Sequence, residues 1–187
     1  SVFGTHNLMN LAGARWISQL MGVDVSDFYE AIPSFTGAAK RMERLAKGKT
    51  AILFKDFAHA PSKVSASAKA VKSQFSRHKI KVCLELHTYS SLDATFIKQY
   101  KDSLTAADEA IVFYDPEALK IKNRVPIDPD AIKKAFNHSS IEVITEAKVL
   151  QKELFEQEYV NYVLVMMSSG NFGDLDWEKL KQVITIF

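Results

Sequence analysis

One cysteine, Cys83, in 187 residues excludes an internal disulfide framework. It lies in the run Ile80-Lys81-Val82-Cys83-Leu84-Glu85-Leu86 and reads as a buried, inert strand thiol rather than a nucleophile. Charge of one sign is also lacking. The 24 Lys and Arg against 22 Asp and Glu leave a formal net charge of +2, which gives no electrostatic argument for nucleic acid or anionic lipid as a partner. No apolar run approaches the roughly 20 residues that span a bilayer. Ser1-Val2-Phe3-Gly4 has neither the charged nor the long apolar region of a signal peptide. Together these absences point to a reducing cytoplasm. No zinc-ligand spacing, Ser/His/Asp constellation, internal repeat or coiled-coil heptad is evident. His78 and His138 fall in linkers and read as surface histidines.

What is present is an alternation of short apolar runs and helical patterns. Strands are expected near 50–55, 80–86, 109–114, 141–144 and 161–167. Helices are expected near 62–76, 93–105, 129–137, 147–156 and 176–184. Short links between them predict an α/β fold, a Rossmann-like doubly wound and mostly parallel sheet with right-handed crossovers. Ahead of it, Leu8, Leu11, Ala12, Trp16 and Leu20 recur at helical spacing, and a second helix is expected over Val25 to Ala31. Lys40 to Lys47 reads as a short basic stretch leading into the first strand. Residues 1–46 form a helical lead-in and 47–187 the α/β domain; a start without Met reads as a piece of a longer chain.

The stretch Lys55-Asp56-Phe57-Ala58-His59-Ala60-Pro61 follows the apolar run Ile52-Leu53-Phe54 and precedes a helix, so Asp56 and His59 stand at a strand exit. Ligands of α/β sheets sit in the crevice beyond the strand carboxyl ends. There a carboxylate accepts from sugar hydroxyls and an imidazole reaches a phosphate. The loops His87-Thr88-Tyr89-Ser90-Ser91 and Ser168-Ser169-Gly170-Asn171-Phe172-Gly173 open on the same crevice after the second and last strands. Their small polar residues let backbone N–H groups approach an anion. Asn7 and Asn10, three residues apart, share one side of the first helix, where capping is the favoured reading and an adenine contact the alternative. Arg41 becomes a phosphate grip if it faces the cleft of Asp56. Gly48-Lys49-Thr50 is rejected as the end of a phosphate-binding P-loop, because Glu43 stands where the first glycine belongs and a strand rather than a helix follows.

Three segments in order resemble the Mur ligases: Gly4-Thr5-His6-Asn7-Leu8-Met9-Asn10 is similar to their G-x-H-N-x-x-N, Phe35 to Glu43 to F-x-G-x-x-R-R-x-E, and Asp56 to Pro61 to D-[YF]-x-H-x-P. Met167 to Gly173 is close to the M-S-N-G-x-F-G of the murein peptide ligase branch. The chain departs from the pattern at Lys55, where many have an acid, at Ala60, where they have His, and in the loop after the second strand, where the peptide-ligase branch often has Arg and His87-Thr88-Tyr89 stands here. The resemblance implies a C-terminal Mur ligase domain preceded by the tail of the central ATP domain. It implies an enzyme joining UDP-N-acetylmuramate to an amino acid or peptide, the murein tripeptide favoured and L-alanine the alternative. ATP would activate the muramoyl carboxylate as an acyl phosphate with Mg²⁺ present. It also implies nucleotide contacts from Asn7, Asn10, Arg41, Asp56 and His59, and contacts to the incoming amine substrate from His87, Thr88, Ser90, Ser168, Ser169 and Asn171. The catalytic carboxylate and most magnesium ligands would lie outside this chain, which alone would be inert. A non-catalytic Rossmann-like nucleotide-binding module is the competing class.

Overall fold

The computed structural model describes residues 3–35, 37–38, 40–88, 90–116 and 127–187. Tyr89 and the Pro-flanked segment 117–126 therefore lie outside the described residues. Five parallel strands form the body of the sheet: β2 Ile52–Asp56, β3 Lys79–Glu85, β4 Glu109–Phe113, β5 Ile141–Ile144 and β6 Tyr162–Met167. An antiparallel strand, β1 Glu43–Lys47, lies on one edge, and the spatial order is β1-β2-β6-β3-β4-β5. The central strands β3 and β6 are buried along nearly their whole length, because helices cover both faces. That burial explains their continuous apolar runs.

Crossovers of one hand decide which face each helix covers. The chain moves from β2 past β6 to β3, then to β4 and β5, always in one direction. The helices α3 (Pro61–Gln74) and α4 (Pro129–Phe136), with the turns around Ile97, Tyr100 and Leu104, bury one face together. From β5 the chain returns to β6, so α5 (Ala147–Glu156) and α6 (Trp177–Ile186) cover the other, through Leu150, Leu154, Leu180 and Ile184. Connections from β2 and β6 thus part to opposite faces and leave an opening at their carboxyl ends.

The sheet and helices match the expectation, with two differences. The stretch read as a basic lead-in is itself strand β1 from Glu43 onward. It is short, charged and bulged between Arg44 and Ala46, as edge strands often are, and it gains its order from pairing with β2 rather than from a pattern of its own. The helix expected over 93–105 is only a 3₁₀ segment, Phe96–Tyr100, followed by turns. Asp93 caps that segment by accepting from the Thr95 and Phe96 N–H groups, and Asp102 adopts a positive φ of 60° that stops any helix.

The lead-in forms α1 (Thr5–Leu20) and α2 (Val25–Ala31) as expected. No residue of α1 is buried, and Trp16, Ile17, Leu20 and Met21 are exposed. Its N-terminus is nevertheless held against α3: Gly4 has a φ of 88°, and a Cβ there would come within 2.6 Å of the Ala70 methyl. No helix among the described residues is long and apolar enough to cross a membrane.

Candidate functional site

The exit of β2 meets the N-termini of α1 and α3 in a polar cleft of about 300 Å³, whose lining includes His6, Asn7, Asn10, Arg41, Asp56 and Lys63. Four of the five expected nucleotide residues are therefore brought together from three segments of the first 56 residues. Asn7, Asn10 and Arg41 also line a neighbouring cleft of about 340 Å³, otherwise apolar, with Phe3, Leu11, Ile32, Phe35 and Met42. An apolar cleft beside a polar one that carries Arg41 and Lys63 suits a base joined to phosphates. The N-terminus of α3 adds to this: Pro61 stands at its start and no side chain caps it, so its positive end faces the polar cleft.

Asp56 is almost wholly buried, and both its oxygens are engaged within the protein. One accepts from the Met42 N–H at 3.3 Å and the other from the Ser67 hydroxyl. Arg41 sits between Lys40 and Met42, both at positive φ, so Asp56 anchors the turn that presents the guanidinium to the cleft. His59 lies off the cleft lining. Its Nδ1 pairs with the Phe57 carbonyl at 2.8 Å, its ring meets Phe57 edge-on, and its own carbonyl accepts from the buried Tyr100 hydroxyl. In this arrangement His59 shapes the loop. Asn7 donates to the Phe3 carbonyl at 3.0 Å, close to the capping role favoured for it, while Asn10 is exposed at the cleft.

Next to β2 in the order, β6 and then β3 end in the second group of expected residues. Ser168 ties the strand ends together: its N–H donates to the Asp56 carbonyl at 3.0 Å, and its hydroxyl donates to the Glu85 carboxylate. Glu85 is buried, and its other oxygen stands 3.8 Å from Nδ1 of His87. The Gly170 N–H donates to the Ser168 oxygen at 2.6 Å. Ser169 Oγ is buried without a hydrogen-bond partner among the described residues. Thr88 and Ser90 face each other across a turn at 3.3 Å, with Ser91 donating back to Thr88. Asn171 is exposed and donates to Asp174 at 2.6 Å. The loops after β3 and β6 thus adjoin as expected. Glu85 was not among the expected site residues; an acidic residue following the apolar stretch Val82-Cys83-Leu84 at a strand exit was the available signal.

Cys83 lies in the core, where burial pushes its thiol well above the usual range, as an inert thiol requires. His78 and His138 are not free surface groups: His78 packs edge-on against Phe75, and His138 Nε2 meets the Ala107 carbonyl at 3.1 Å.

No family model matches the chain. Among curated proteins, it is 33% identical over 120 residues, 64% of its length, to a UDP-N-acetylmuramate–L-alanine ligase of Caldicellulosiruptor saccharolyticus, and those residues are 26% of that protein. It is 26% identical over 184 residues, 97% of its length, to the corresponding ligase of Agathobacter rectalis, covering 39% of it. The chain thus spans well under half the length of these relatives. Its fold superposes on a UDP-N-acetylmuramate–alanine ligase of Thermotoga maritima with a TM-score of 0.71 at 19% identity, covering 98% of this chain and 38% of that one. A murein peptide ligase of Psychrobacter arcticus gives 0.67 at 19% identity, covering 100% and 38%. The ordered sequence motifs, the shared sheet and these relatives lead to one conclusion: the chain is a relative of the Mur ligases, with the fold of their C-terminal domain.

Proposed function

We propose that this chain is the C-terminal part of an ATP-dependent ligase that joins UDP-N-acetylmuramate to an amino acid or peptide in peptidoglycan synthesis or recycling. The observation carrying the reading is the convergence of Asn7, Asn10, Arg41 and Asp56 on paired apolar and polar clefts at the exit of β2. In the reaction, the muramoyl carboxylate oxygen attacks the γ-phosphorus of ATP, giving an acyl phosphate and ADP. The amine then adds to the acyl carbon, a tetrahedral intermediate forms, and inorganic phosphate leaves. Charge grows on phosphoryl oxygens, which Arg41, Lys63 and the α3 N-terminus would offset. Asn10 and Asn7 offer amides to the base. His87, Thr88, Ser90, Ser168, Ser169 and Asn171 line the loops that receive the amine, so the domain's contribution is orientation.

Magnesium finds no cluster of three or more His, Cys, Asp or Glu among the described residues, so this reading places its ligands elsewhere in the whole enzyme. The exposed apolar surface of α1 supports assigning the helical lead-in, up to the residue before β1, to the tail of the central domain, which would cover it. The whole enzyme would be cytoplasmic, and residues 1–187 alone inactive.

The segment Met167 to Gly173 favours a murein tripeptide as the amine component. L-Alanine is the second reading, favoured by the named activity of the curated relatives and by the His87-Thr88-Tyr89 sequence in the loop where the peptide-ligase branch often has Arg. Phosphate release by the whole enzyme with UDP-N-acetylmuramate, ATP and Mg²⁺, comparing the two amines, separates them. Release with neither amine defeats the ligase reading.

A further inference from the structure

Glu85 ends β3 in the crevice between the two loops assigned above to the incoming amine. It is 4% exposed, and a carboxylate that dry costs several kcal/mol unless it is held by donors or opposite charge. The described structure supplies the Ser168 hydroxyl to one oxygen and the His87 imidazole, at 3.8 Å, to the other. These partners come from the two loops separately. The Ser168–Asn171 turn also rests directly on the pair: a Cβ at Gly170 would lie 2.7 Å from Glu85 Oε2 and 2.8 Å from the His87 ring. Backbone packed this closely transmits any change at the carboxylate to both loops.

We infer that Glu85 is a positioning residue for the amine-receiving site, acting through Ser168 and His87 to hold the two loops in register. This rests on the ligase reading. Glu85 touches neither the nucleotide cleft nor any reacting atom in this scheme, so its effect is confined to the amine substrate. A generic strand-end contact would serve as well with a neutral, isosteric amide; a carboxylate that accepts from the Ser168 hydroxyl, with an imidazole beside its other oxygen, would not.

The test uses the whole enzyme with Glu85→Gln, Ser168→Ala and the double variant, measuring KM separately for amine, ATP and UDP-N-acetylmuramate. Glu85→Gln is expected to raise the amine KM roughly tenfold, the size of a hydrogen bond to charge, and to leave the ATP KM unchanged. Ser168→Ala should act in the same direction. The double variant should fall short of the product of the single effects, because both act through one contact. Should Glu85→Gln fail to fold by circular dichroism, Ser168→Ala, which keeps the carboxylate, carries the amine-against-ATP comparison. An unchanged amine KM in an active, folded variant, equal rises for amine and ATP, or fully multiplicative single effects would overturn the inference alone. A wild-type enzyme that turns over neither amine overturns the ligase reading and this inference with it.

Discussion

The hydroxyl of Ser168 donates to the buried carboxylate of Glu85 while its backbone N–H donates to the Asp56 carbonyl. One residue at the end of the central strand therefore links the side of the crevice assigned to the nucleotide with the side assigned to the amine. Gly170, whose N–H returns to the same Ser168 oxygen, lies against this link. Gly170→Ala forces a Cβ to 2.7 Å from Glu85 Oε2, closer than real Cβ contacts come. We expect a loss of about 1–3 kcal/mol in urea unfolding, together with weaker amine binding, and nucleotide binding left intact. A melt and an amine KM equal to wild type would contradict this.

Asp56 holds Met42 and Ser67 from inside the protein, so its loss acts on the Arg41 turn as well as on any nucleotide contact. Asp56→Ala leaves a buried N–H and a buried hydroxyl unpaired. The expected cost is about 2–4 kcal/mol in denaturant midpoint, and a raised ATP KM in the whole enzyme. Ser67→Ala should reproduce a smaller share of both. Normal stability in Asp56→Ala would show that the two hydrogen bonds carry little.

Tyr100 stacks on Phe136 at a centroid distance of 5.0 Å and sends its hydroxyl to the His59 carbonyl. Burial pushes the phenol up to about 12, so it donates throughout the working pH range. Tyr100→Phe keeps the ring and removes the donor. It should cost about 1–2 kcal/mol and speed amide hydrogen exchange in the 57–60 loop. Unaltered exchange there would mean the loop holds itself.

Burial pushes the Asp108 carboxyl up, but hydrogen bonds from Lys72 and the Ile80 N–H outweigh it, so its folded pKa lies below the ordinary aspartate value. Glu109 is likewise held low: burial raises it, while hydrogen bonds from Tyr162 and Lys79 lower it further. A depressed folded pKa means stabilisation that is present above the unfolded value and lost as pH falls through the folded one. The urea midpoint should therefore fall as pH drops below about 4, and less steeply in Asp108→Asn. Identical pH slopes in the two proteins would remove Asp108 from the account.

Cys83 lies fully buried between strands, with its thiol pushed up by burial. A thiol reagent should leave the native protein unlabelled and react stoichiometrically once it is unfolded in denaturant. Fast native labelling would show that the sheet opens there.

The alternation of apolar runs and helical patterns was enough to predict the five parallel strands and most of the helices, since burial on both faces writes itself into contiguous apolar residues such as Val163 to Met167. The motifs likewise marked Asn10, Arg41 and Asp56 as candidates before any coordinates. β1 left no such mark, because an edge strand is ordered by its neighbour's hydrogen bonds and not by its own hydrophobicity. Local propensity suggested a helix over 93–105, which the Asp93 cap and the turn at Asp102 cut short. The sequence by itself determined the sheet and the residues available at its strand exits. Only the tertiary structure decided that Asp56 and Glu85 are turned inward, to Met42, Ser67 and Ser168, because strand order and the close approach of loops distant in sequence set which donors a buried carboxylate meets.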